Sequence, residues 1–167
     1  MSDISFWMRW CARFTDRFER CRNCVLLALC SSTALAVAAQ TAEPTARDLH
    51  TFACVAALEV KANDLAGQIK AGQKDLQPLL LTTLNAGAAF IGHAYLQGDR
   101  DEERAQNLKD AALQAHKLLP ANELAALQSG CAQEGGKLLA EADFIGRFVV
   151  TRLAQRQMKK LIGDLAP

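Results

Sequence analysis

Tryptophan and serine are nearly missing from most of this chain. After residue 40 there is no tryptophan, one tyrosine (Tyr95) and one serine (Ser129). A serine nucleophile would need Ser129, and no G-x-S-x-G elbow surrounds it. No glycine-rich phosphate loop, H-E-x-x-H, zinc-type cysteine set or haem C-x-x-C-H is present. No alternating apolar pattern bounded by turn residues reads as a strand. Charge is nearly balanced, at +1 over 167 residues. That argues against a nucleic-acid binder, which carries a marked basic excess.

What is there divides unevenly along the chain. Both tryptophans (Trp7, Trp10), four of six cysteines (Cys11, Cys21, Cys24, Cys30) and five arginines lie before residue 40. The arginines precede an uncharged run of 15 residues, Val25 to Ala39. A membrane-spanning helix wants about 20 apolar residues, whereas a secretory leader core needs about 7–15. The run ends in small residues, and Ala36-Val37-Ala38 fits an A-x-A cleavage site. Residues 1–39 are therefore expected to be a helical signal peptide, cut near Ala38 or Ala39. Met8 is a second candidate start. An uncleaved inner-membrane anchor is the alternative. On the first reading the product is periplasmic or secreted, and the only C-x-x-C, Cys21 to Cys24, is discarded with the leader.

Cleavage would leave Cys54 and Cys131. An even pair in an oxidising compartment is expected to bond. The chain-entropy model gives the resulting loop of about 77 residues roughly 4–4.5 kcal/mol of stabilisation.

Residues 40–47 read as a flexible entry, and 48–167 as a single domain with helical periodicity throughout. The first helix is expected from about Pro44 to Lys70, ended by Gly72. The second spans about Asp75 to Gln97, with Pro78 in its first turn. Its small residues Ala86 to Ala89 and Gly92 should let a neighbour approach closely. The third starts near Asp99 to Asp101 and stops at Pro120, with Ala105, Leu108, Ala112, Ala115 and Leu119 as its apolar stripe. A fourth, long C-terminal helix begins around Ala121–Glu123 and could reach Leu165. One heptad-like stripe runs through it: Leu124, Leu127, Cys131, Gly135, Leu138, Ala142, Ile145, Val149 and Leu153. Gly135-Gly136 is the place where it would kink. Residues 88–112 resemble one helical hairpin of the tetratricopeptide or Sel1 kind. No second copy follows, and solenoids need at least about three, so the segment reads as a local helix–turn–helix. The expected fold is all-α, an antiparallel bundle of about four helices.

No catalytic residue, metal site or cofactor emerges from these patterns, and an enzyme with a site built across helices is the weakest reading. His93 and Tyr95, on the apolar second helix, are the candidate pocket. Arg147, Arg152, Arg156, Lys159 and Lys160 form a basic stretch without an acid, the candidate partner-binding face. Without residues 1–39 the chain carries 14 basic and 15 acidic residues, which fits nucleic acid poorly. Membrane contact is expected only through the leader. The favoured expectation is a small exported protein that binds another protein, as an inhibitor, immunity, chaperone or accessory factor. A bundle enclosing a small apolar ligand is the alternative, and self-association is open.

Overall fold

The computed structural model describes residues 43–98 and 100–163. The expected signal peptide at 1–39 lies outside the described residues. Contacts divide the chain between Pro44 and Thr45. Among the described residues every regular element is helical: α1 (Ala46–Lys70), a short 3-10 turn (Lys74–Leu76), α2 (Gln77–Leu96), α3 (Glu102–His116), α4 (Ala121–Glu141) and α5 (Phe144–Ile162).

The boundaries follow from local chemistry. Thr45 and Asp48 form a reciprocal capping box at the start of α1. Asp101 caps α3 by accepting a hydrogen bond from the Arg104 amide. Pro78 sits in the first turn of α2, where an amide hydrogen is not missed. Gly72 and Gly98, with φ of +113° and +97°, turn the chain after α1 and α2, as expected of glycine at helix ends.

The helices alternate in direction. Cys54 of α1 meets Cys131 of α4 through a disulfide, with the Cα atoms 5.2 Å apart. One turn back along α1, His50 meets Glu134, further along α4, so these helices are antiparallel. α2 and α5 are antiparallel too. Leu80 clusters with Met158 and Ile162, whereas Gly92, near the other end of α2, abuts Val150. α2 is packed by α1, α4 and α5. Its length and apolarity would suffice to cross a membrane, but a helix surrounded this way also reads as a core helix. The core has two centres. One gathers Ala62, Leu65, Ile69, Leu80, Met158 and Ile162; the other gathers Cys54, Val55, Leu58, Ala86, Phe90 and Cys131.

The described residues form five α-helices, because the expected long C-terminal helix is two. The chain breaks at Ala142, which is extended (ψ 147°), and restarts with Asp143 as N-cap. The Asp143 carboxylate accepts a hydrogen bond from the Gly146 amide at 2.6 Å. Aspartate gains this bond only at a helix start, which is why it favours caps over interiors. The break resets the rotation of the helix. Ile145 and Val149, expected on the inner stripe, are exposed, and Val150, Ala154, Met158 and Ile162 are buried instead.

Gly135-Gly136 does not interrupt α4. A Cβ on Gly135 would lie 2.6 Å from the carbonyl oxygen of Ala86, so this glycine is where α4 presses against the small-residue stretch of α2. Gly136 faces open space. Gly135→Ala should cost about 1–3 kcal/mol through overpacking against a backbone that cannot move aside. Gly136→Ala should instead add about 0.5–1 kcal/mol, since it gains helix propensity without a clash. Urea denaturation of both variants measures the contrast; equal effects would contradict the close crossing.

Candidate functional site

α5 presents its buried residues every four positions, Val150, Ala154, Met158 and Ile162, against the bundle. The opposite face follows from 3.6 residues per turn. It carries Ile145, Phe148 and Val149 in the first two turns, then Arg152, Arg156, Lys159 and Lys160, all exposed. Arg147 lies on the flank of the buried stripe and is exposed too. Phe144, Ile145 and Phe148 are 77 %, 68 % and 55 % exposed. Of the eight large hydrophobic side chains exposed among the described residues, four stand in this first stretch of α5. A fifth, Leu96 at 81 % exposure, ends α2 at the same end of the bundle. The Arg152 guanidinium sits 5.5 Å over the Phe148 ring, a cation–π contact that pre-orders both side chains. No acid occurs between Asp143 and Gly163. The five cations expected to form a partner face therefore occupy one helix, and the apolar cluster beside them is an addition that depended on the break at Asp143.

His93 and Tyr95 are not brought together. Two positions apart on a helix, they point different ways. Tyr95 stacks under the Arg100 guanidinium at 5.1 Å. His93 is exposed on the rim of a shallow surface hollow of about 470 Å3, lined also by Thr45, Arg47, Asp48, Thr51 and Gln97. The carboxylate there is already engaged. Asp48 accepts from the Thr45 amide and, at 2.7 Å, from the Arg104 guanidinium. The Thr45 bonds and the Arg104 charge hold its pKa below the ordinary carboxylate value, against the opposing effect of burial.

A second cluster lies over the disulfide. His50 Nε2 and Glu134 Oε2 are 2.8 Å apart, and Cys54 Sγ is 3.9 Å from the same nitrogen. The His50 ring meets Phe90 edge-on at 6.4 Å. Four side chains that carry chemistry, His50, Cys54, Cys131 and Glu134, thus meet between α1 and α4. Their spacing was a readable signal. His50 is four residues before Cys54, and Glu134 three after Cys131, so each pair shares a helix face. His50, Cys54 and Glu134 have ligand-type atoms within 4.8 Å of one another. With the sulfurs bonded to each other, the cluster offers a metal only His50 and Glu134.

Of the apolar stripe expected on α3, Ala105 is buried and Leu108, Ala112 and Leu119 are partly buried, and two titratable groups are buried beside them. Lys109 is 3 % exposed and pairs with Glu59 of α1 at 3.1 Å. His116 is buried, and its Nδ1 has no hydrogen-bond partner. The expected Ala115 is exposed instead.

No family model, curated protein or solved structure matches this chain.

Burial pushes the His116 pKa below its ordinary value of 6.5. The folded protein therefore resists a proton that the unfolded chain accepts. The His116 contribution to stability is complete above about pH 6.5 and falls as pH drops below it. Asp48, whose pKa is also lowered, contributes above its ordinary value of 3.8 and loses that contribution as pH falls through its folded pKa. His116→Leu should thus shrink the loss of urea resistance between pH 7.5 and 5.5. An unchanged pH slope in the variant would contradict the assignment.

Proposed function

We propose that this chain is an exported helical protein that works by binding another protein, with the outward face of α5 as the contact. The observation that carries this reading is the concentration of exposed Phe144, Ile145, Phe148 and Val149 next to an acid-free run of cations. Soluble proteins rarely leave such apolar clusters uncovered. Aromatic and arginine side chains are the usual anchors of binding energy. The partner that fits is a protein with an apolar pocket edged by carboxylates. Export is supported by the arginine-led apolar run at 25–39 and by the Cys54–Cys131 disulfide, since such bonds persist in oxidising compartments.

The alternative of an enclosed apolar ligand has less support. Ala86, Ala88 and Ala89 are buried, and Gly135 closes on Ala86, so the small residues of α2 serve helix contact.

Photo-crosslinking from position 148, in the native host, tests the proposal. A discrete protein adduct is expected from 148, and none from Gln73, an exposed residue at the other end of α2. Arg152→Glu together with Ile145→Ser should abolish the adduct while leaving the helical circular dichroism intact. An adduct of twice the chain mass would mean self-association. Adducts with lipid alone, or none, would overturn the reading.

A further inference from the structure

The cluster between α1 and α4 has a geometry that a disulfide alone does not require. His50 and Glu134 are half-exposed, with side chains at 53 % and 46 %, and stand over two sulfurs that are almost fully buried. The geometry points to a second state of this clasp: when the Cys54–Cys131 bond is reduced, the two thiolates, His50 Nε2 and a Glu134 oxygen bind one divalent ion of the zinc type.

Three of the four donors, His50, Cys54 and Glu134, already have their ligand atoms within 4.8 Å of one another, and Cys131 would join through its bond partner's position. Zinc takes sulfur at about 2.3 Å and nitrogen or oxygen at about 2.0–2.2 Å in a tetrahedron. The edges of that tetrahedron are about 3.8 Å between sulfurs, about 3.5 Å from nitrogen to sulfur and about 3.3 Å from nitrogen to oxygen. The observed His50–Cys54 separation is 3.9 Å and the His50–Glu134 separation 2.8 Å. Each is within about half an ångström of the requirement. The sulfurs, bonded to each other here, must move apart to reach their edge. Rotation of the two cysteine side chains can supply this once the bond is open. The donor set suits zinc, because thiolate and imidazole select it over magnesium or calcium. The exposed side, formed by His50 and Glu134, leaves the ion a path from solvent.

The chemistry balances with a dithiol as reductant. Its two electrons and two protons pass to the S–S bond, giving two thiols here and one disulfide on the reductant. The divalent ion then displaces both thiol protons to solvent, and neutral His50 and anionic Glu134 complete the shell. The result replaces one link between α1 and α4 by another. Where the disulfide is not yet formed or has been lost, the ion would hold the same two helices.

Cobalt(II) is the probe, added to the full chain carrying Cys11→Ser, Cys21→Ser, Cys24→Ser and Cys30→Ser, so that only Cys54 and Cys131 can supply sulfur. After reduction by a dithiol and its anaerobic removal, one equivalent of cobalt should give intense tetrahedral d–d bands with thiolate charge transfer. The oxidised protein should give neither. His50→Ala and Glu134→Ala should each weaken binding by about tenfold or more, with zinc displacing cobalt. If reduction loosens the bundle, cobalt should restore its helical circular dichroism. A weak octahedral spectrum, affinity indifferent to His50 and Glu134, or a reduced chain that stays unfolded with cobalt would overturn the inference.

Discussion

Cys54 and Cys131 form a covalent bond between the first and fourth helices, and the packing around them is organised by that link. Cys54 is fully buried among Val55, Leu58, Ala86 and Phe90, so the bond belongs to a core cluster. It closes a loop with a sequence separation of 77 residues, which removes many conformations from the unfolded chain. One helical turn beyond Cys131, Gly135 meets Ala86 so closely that no side chain fits between. The disulfide and the glycine together fix where α4 lies against both α1 and α2. This lets a body rich in alanine, with few aromatics, form a tight interior from small groups.

The remaining helices complete that triad differently. α3 is joined to α1 by charge: Lys109 with Glu59 and Arg104 with Asp48. A buried lysine costs desolvation, and its carboxylate partner offsets much of that cost. α5 covers α2 with one narrow stripe of Val150, Ala154, Met158 and Ile162. Its other face is exposed, and the aromatic and basic side chains there carry the functional proposal. The clasp and this face are separate features. One concerns how the bundle holds together, and the other what it meets.

Much of the architecture was legible in the residues. Helix content, the glycine terminators, the proline and acidic helix starts and the pairing of Cys54 with Cys131 all follow from short-range rules or from elimination. The small stretch around Ala86 announced a close contact without naming the partner. Three features were not legible. Asp143 falls between Ala142 and Ile145 of a stripe that continues in register on both sides, so periodicity alone runs past it. Lys109 and His116 are polar, and a pattern reading assigns them to solvent. His50 and Glu134 have helical spacing to the cysteines, but their meeting depends on which way α4 runs past α1.

The sequence by itself determined that the described body is helical throughout its regular elements, with an apolar, arginine-led run before it and a single cysteine pair within it. These are matters of composition and of spacing within one helix. Only the tertiary structure decided that α5 turns back after Asp143, exposing Phe144, Ile145 and Phe148, and that His50 and Glu134 stand over the sulfurs. The reason is physical. A helix's own periodicity says which residues share a face, but the partner of that face is set by caps, close crossings and cross-links tens of residues away.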